Sequence, residues 1–227
     1  MFVAAPYGRH TRPGWGPTIP AAVGWVLMEL PAVVAFAVFY ALGDRQTGWA
    51  YLAFLGLWQL HYLHRTFVYP LRRRGSGKRM PVVITLLALA FNCVNAYLNA
   101  RYLFALGPAY SHDWARDPRF IAGVALFLLG LLVNVRSDDT LLRLRRSGQD
   151  YAVARSGLFR LVSCPNYLGE IVEWCGWAML TWSWPGLAFA LWTAANLVPR
   201  ALSHHRWYRQ RFADYPPERK ALIPFVL

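Results

Sequence analysis

The sequence predicts an all-α fold, a polytopic bundle of six transmembrane helices with both termini in the cytosol. Hydrophobic residues make up 56% of the 227 and charged residues only 15%, the reverse of what a soluble domain of this length needs. Six stretches are apolar over the roughly 20 residues that a helix takes to cross about 30 Å of hydrocarbon. The loops between them alternate between basic and non-basic, which orients the chain. A single domain over residues 1–227 accounts for the length, and no internal repeat or low-complexity linker interrupts it.

The spans are predicted at 19–42, 48–69, 81–106, 119–135, 166–182 and 184–201, of which the fourth and fifth are short. The first begins too late, and carries Glu29 in its middle, so it is read as a retained helix and not a cleavable signal peptide. Pro20, Pro81 and Pro185 fall near span starts, where a missing amide donor does no harm. Of the 24 Lys and Arg, 19 lie in the N-terminal tail, 70–80, 136–165 and the segment from Arg200 onward. The opposite loops hold Arg45, Arg116 and the boundary residue Arg119, while Arg65 and Arg101 lie within spans. The net charge of +13 therefore becomes a cytosolic surface suited to anionic headgroups or a phosphate-bearing cofactor, although topology alone explains the same pattern. High apolar content excludes a basic soluble nucleic-acid binder, so no nucleic-acid partner is expected. Cys93, Cys164 and Cys175 show no CxxC spacing and suggest neither a disulfide framework nor a zinc site.

An ionisable group inside hydrocarbon costs a few kcal/mol on insertion scales, about 2.5–3.5 at the helix centre, so each one asks for a reason. Glu29, in WVLMELP, has no basic residue within a helical turn, and its partner must come from another helix. The second span ends in QLHYLHRTFVYPLRRRG, where Gln59, His61, Tyr62, His64 and Arg65 descend toward the cytosolic boundary. Singly, His61 and His64 read as packed or interfacial histidines and Tyr62 as an aromatic-belt residue. Together, a buried carboxyl at Glu29 can orient the Tyr62 phenol as a hydrogen-bond donor, a pair that suits a substrate carbonyl. Asn92, Asn95 and Asn99 recur at i, i+3 and i+7, placing three amides on one helical face, either for interhelical hydrogen bonds or to line a polar cavity.

Beyond the fourth span, a helix leaving the membrane would set Asn134 and Asp138 one turn apart with Arg145 about two turns further on. Asn166, Glu170 and Glu173 make another single polar face at i, i+4 and i+7, and two acids entering a membrane helix side by side resist explanation as packing. Arg200, His204 and Tyr208 align at four-residue steps, as a solvated basic face or as a ligand-binding stripe. Metal chemistry is not expected, because the chain has six histidines and one HxxH pair, His61 with His64. RGSGKR at 74–79 follows no strand and is a weak phosphate loop, and no GxSxG elbow occurs. What remains is a nucleotide site of non-Rossmann type on the cytosolic side, joined to a lipidic cavity that reaches Glu29.

ELP at 29–31, HYLHRTFVYPL at 61–71, NVRSD at 134–138, GLF at 157–159, NYLGEIVEW at 166–174 and HHRWYRQRFADYPPERKALIPF at 204–225 closely resemble the steroid 5α-reductases. The likeness runs from about Pro6 to the C-terminus. It implies NADPH-dependent reduction of the 4,5 double bond of a 3-oxo-Δ4-steroid. Tyr62 would match the family's catalytic tyrosine and Glu29 its partner glutamate, the two binding the C3 carbonyl with Tyr62 as the acid. Cofactor contacts would match Arg74, Asn134, Asp138, Arg145, Tyr151, Asn166, Glu170, Arg200, His204 and Tyr208, and arginine forks suit a 2′-phosphate. The C-terminal part, about 134–227, would then form most of the cofactor site.

Two departures accompany the resemblance. The family is expected to have seven spans, and this sequence begins where the first connecting loop would lie, so the initial helix is expected to be missing. Met28 stands where the family's steroid enzymes carry glutamine, and the loop from Arg72 to Arg79 is richer in arginine than the pattern. Enoyl-thioester or polyprenol reduction, or an isoprenylcysteine-type membrane methyltransferase, are the alternative activities. The protein is expected to act as a monomer on a steroid or other lipidic enone, in a bacterial inner membrane or the endoplasmic reticulum, with high Ala and Arg content pointing toward a bacterium.

Overall fold

The computed structural model describes residues 13–72, 77–146 and 152–227, and within these the side chains of Arg145 and Arg146 are not described. Helices occupy all six predicted spans: α1 Ala21–Ala41, α2 Trp49–Leu63, α4 Val82–Arg101, α5 Pro118–Arg146, α6 Pro165–Thr181 and α7 Trp184–Arg211. A short α3, Tyr69–Arg72, continues the second span after a π-helical segment at His64–Val68. By length and composition, residues Ala21–Ala41, Val82–Leu106 and Pro118–Leu144 are each able to cross a membrane. Large apolar side chains such as Leu27, Val34, Leu86, Leu87, Leu129 and Leu191 are exposed, as helices facing lipid require. The protein is an all-α membrane bundle.

The boundaries differ from the sequence reading where polarity and helicity part company. α5 runs on from the predicted 135 to Arg146, and α7 from 201 to Arg211. RSDDTLLRLRR and LSHHRWYRQR contain no Gly or Pro, so nothing stops the helix when the apolar run ends. The third span closes with a second π-helical segment, Tyr102–Leu106. A two-stranded antiparallel ladder was not anticipated: β1, Thr18–Pro20, pairs with β2, Arg79–Pro81, through Ile19 opposite Met80. Pro20 and Pro81 hold φ at −54° and −59° as the residues preceding α1 and α4. Orphan helix amides are satisfied across the ladder, Ala21 N donating to Lys78 O at 2.9 Å and Val82 N to Pro17 O at 2.9 Å.

The chain divides into two compact units, one ending at Asp117 and the other running from Pro118 to Leu227. In the first, α1 packs on α4 and α2. Phe36 stacks on Trp58 with centroids 4.3 Å apart, and Phe104 meets Phe36 edge-on at 5.3 Å. The Trp58 indole donates to Ala32 O at 2.9 Å, so the ring enters the core without an orphaned donor.

In the second unit α6 packs on both α5 and α7. Gly123 and Gly130 on α5 face Gly169 and Gly176 on α6, and both pairs are seven residues apart, two turns on one face. The backbones approach so closely that a Cβ on Gly130 would lie 2.3 Å from Glu173 N, and one on Gly176 2.4 Å from Phe127 N. Where lipid provides no hydrophobic drive between helices, this close contact supplies the attraction. Trp182 and Ser183 then turn the chain, and the Ser183 hydroxyl accepts from Gly186 N at 3.1 Å to start α7. Gly130→Ala is predicted to destabilise the fold by about 1–3 kcal/mol through overpacking. Thermal melting of the purified protein in detergent checks this against Gly56→Ala, where a Cβ meets nothing within 4 Å. Equal melting temperatures would contradict the close approach.

Candidate functional site

In the first unit the polar residues of three membrane helices converge. Glu29 on α1 is 8% exposed and Tyr62 near the end of α2 is 3% exposed. The side chains that meet them come from one face of α4. Asn92 Nδ2 donates to Glu29 Oε2 at 3.1 Å and to Met28 O at 2.7 Å, and Asn95 Nδ2 donates to Tyr62 Oη at 3.4 Å. Asn99, one turn further on, donates to Asn95 Oδ1 at 3.0 Å and holds that amide in orientation. Of the i, i+3, i+7 pattern, Asn92 and Asn95 thus make interhelical hydrogen bonds onto the two residues singled out for chemistry, and Asn99 steadies Asn95 within α4.

The partner that Glu29 requires from another helix is Arg65, whose Nε lies 3.7 Å from Glu29 Oε1. Its guanidinium sits 4.6 Å from the centroid of Trp25 and 5.2 Å from that of Tyr69, so aromatic faces share its charge. Arg65 belongs to the π-helical His64–Val68 turn, two residues past the end of α2 and three past Tyr62. Such turns are concentrated at functional sites, where they re-aim side chains. The flanking rings of Trp58 and His61 lie 4.8 and 4.9 Å from Tyr62, and His61 is a packed histidine of this core.

In the second unit the predicted stripes form two groups. Asn134 Nδ2 donates to Asn166 O at 2.9 Å and to Glu170 Oε2 at 3.4 Å, and Asn166 Nδ2 donates to Asp138 Oδ1 at 3.0 Å. Gly169 makes this reach practicable, since its missing side chain lets α6 lie against the backbone of Asn134. Tyr167 Oη forms the second group, bonded to His204 Nε2 at 3.0 Å and accepting from Arg200 Nε at 3.0 Å. Tyr208 is buried with its ring on Phe212 and Tyr215, and Glu173 is fully buried within the α5–α6 contact.

Arg74 and Tyr151 lie outside the described residues, and Arg145 is placed on the last turn of α5 without its side chain. Among the described residues no group of three His, Cys, Asp or Glu could hold a metal ion. Spacing failed to assign Arg65 and Tyr167. Arg65 lies one turn past Tyr62, a signal that was available. Tyr167 sits off the 166–170–173 face, and only the packing of α7 brings it into use.

Residues 78–227 match the family described as 3-oxo-5-alpha-steroid 4-dehydrogenase. The chain is 44% identical to steroid 5-alpha-reductase DET2 of Gossypium hirsutum, over 99% of this chain and 89% of the relative. It is 43% identical to 3-oxo-5-alpha-steroid 4-dehydrogenase 1 of Bos taurus, over 100% and 89%, and 42% identical to the Arabidopsis thaliana DET2 protein, over 99% and 88%. Likeness at this level along the whole chain places both polar centres within the matched sequence: the protein belongs to the 3-oxo-5-alpha-steroid 4-dehydrogenase family.

Proposed function

We propose that this protein is a membrane-embedded steroid 5α-reductase that reduces the 4,5 double bond of a 3-oxo-Δ4-steroid with NADPH as reductant. The observation that carries the reading is the buried pair Glu29 and Tyr62, held by consecutive amides of α4 in a bundle of this family. Reduction of an enone drives negative charge onto the C3 oxygen, and donors fixed in a dry site stabilise that charge most. Asn95 Nδ2 can only donate, so the phenol oxygen accepts there and its own proton is directed to another partner. The C3 oxygen is that partner in the loaded enzyme, with Tyr62 as general acid and Glu29 its partner residue by match to the family. Asn92 and Arg65 hold the Glu29 carboxyl from two sides, so the pair is preorganised.

NADPH would be held by Asn134, Asp138, Asn166, Glu170, Arg200, His204 and Tyr208, with Arg74, Arg145 and Tyr151 added by match to the family. The donor set suits a dinucleotide: carboxylates with several acceptor sites take ribose hydroxyls, and guanidinium forks take phosphates. When bound, the reduced nicotinamide would supply the hydride for C5, and C4 takes a proton to complete the reduction. One chain is the functional unit, and its basic loops fit a bacterial inner membrane and the endoplasmic reticulum equally.

Purified protein offered NADPH and a 4-ene-3-oxo steroid is expected to oxidise the cofactor in step with formation of the 5α-3-oxo product. Oxidation with enoyl thioesters but not with the steroid would reassign the substrate, and binding of S-adenosylmethionine without NADPH oxidation would reject the reductase. Tyr62→Phe is predicted to lower kcat at least about 10²- to 10³-fold, the usual loss of an oxyanion donor, while NADPH affinity holds. An unchanged kcat would remove Tyr62 as the acid. Arg200→Ala should raise the KM for NADPH about tenfold and leave that for steroid unchanged, and the reverse pattern would reject its assignment to the cofactor.

A further inference from the structure

Behind the cofactor stripe of α7 lies a second polar cluster that none of the roles above uses. Tyr208 stacks on Tyr215, with centroids 5.5 Å apart and planes 11° from parallel. Tyr215 belongs to a C-terminal segment that folds over the start of α6. There Lys220 N donates to Leu161 O at 3.0 Å, while Lys220 O and Ala221 O accept from Ser163 N and Cys164 N at 2.8 and 3.2 Å. At the junction is the buried Ser163 hydroxyl, 2.6 Å from His205 Nδ1, 2.6 Å from Tyr215 Oη and 3.0 Å from Lys220 O.

A hydroxyl has one proton and two lone pairs. With the proton given to Lys220 O, the arrangement that satisfies all three contacts has His205 Nδ1–H and Tyr215 O–H both donating to Ser163. Burial, and then the charges of Arg209, Arg219 and Lys220, push the His205 pKa below its ordinary value, so the ring is neutral and such a tautomer is available. One oxygen therefore fixes three segments: the residue two before Pro165, which opens α6, the α7 turn that carries His204 and Tyr208, and the C-terminal segment that backs Tyr208.

We infer that Ser163, with His205 and Tyr215, is a positioning node that sets the start of α6 against α7 and so holds Asn166, His204 and Tyr208 in register for the dinucleotide. The inference rests on the reading that those three residues bind NADPH. Tyr167, next to Asn166, already reaches across to Arg200 and His204, so a slip of α6 along α7 would disturb both of those contacts. Displacements of about 1 Å are enough to cost large factors in binding or rate.

The test uses the full chain in detergent or nanodiscs, with NADPH binding read by fluorescence titration beside steady-state kinetics. Ser163→Ala and Tyr215→Phe each remove one hydroxyl, and the second keeps the ring that stacks on Tyr208. Both are expected to raise the Kd and KM for NADPH about tenfold, leaving kcat at saturating NADPH and the steroid KM within about twofold. Unchanged NADPH affinity in either variant, whatever happens to its melting temperature, would overturn the node, as would a loss confined to kcat or to steroid binding. If Ser163→Ala does not fold, Tyr215→Phe decides alone. Failure of the wild-type protein to bind NADPH would refute the cofactor reading itself.

Discussion

Two amides on α4 make the first unit's buried polar groups sustainable inside a membrane. Glu29 and Tyr62 are polar groups buried in spans where water cannot solvate them, and each would be costly if left to lipid. Asn92 and Asn95 answer both from a single helical face, and Arg65 adds a countercharge that is itself spread over Trp25 and Tyr69. The β1–β2 ladder ties the starts of α1 and α4 together, and so fixes the relative height at which Glu29 and the asparagines meet. Polar groups satisfied from several helices at once are held in one geometry, which is what stabilising a developing oxyanion demands.

The second unit reaches polar convergence by another route. Four glycines let α5 and α6 approach until backbone meets backbone, and short side chains can then bridge the helices. Asn134 spans to Asn166 and Glu170, and Asn166 back to Asp138, only because Gly169 leaves room. A residue without a side chain thus sets the spacing of four hydrogen-bonded ones. The π-helical turn after Tyr62 plays a comparable part in the first unit by presenting Arg65 to Glu29.

Much of this was legible in the sequence, and the parts that were not share a cause. Hydropathy located the six helices and the 3.6-residue period placed Asn92, Asn95 and Asn99 together, because both signals are local to one helix. The same periodicity put Asn134 with Asp138 and Asn166 with Glu170, and the structure joins those two faces into one network. Hydropathy marks where lipid ends but not where a helix ends, hence the longer α5 and α7. Interactions set by partners distant in sequence left no periodic trace. The ladder joining Ile19 to Met80, the bridge from Tyr167 to Arg200 and the convergence on Ser163 all depend on tertiary packing. The contacts matched to Arg74 and Tyr151 fall outside the described residues.

Infrared difference spectroscopy of a bound 4-ene-3-oxo steroid carrying ¹³C at C3 reads directly the bond proposed between the Tyr62 hydroxyl and the substrate's C3 carbonyl. With that bond in place the carbonyl stretch is shifted to lower frequency in the wild-type protein and restored toward its value in apolar solvent by Tyr62→Phe. The same frequency in both proteins would contradict it.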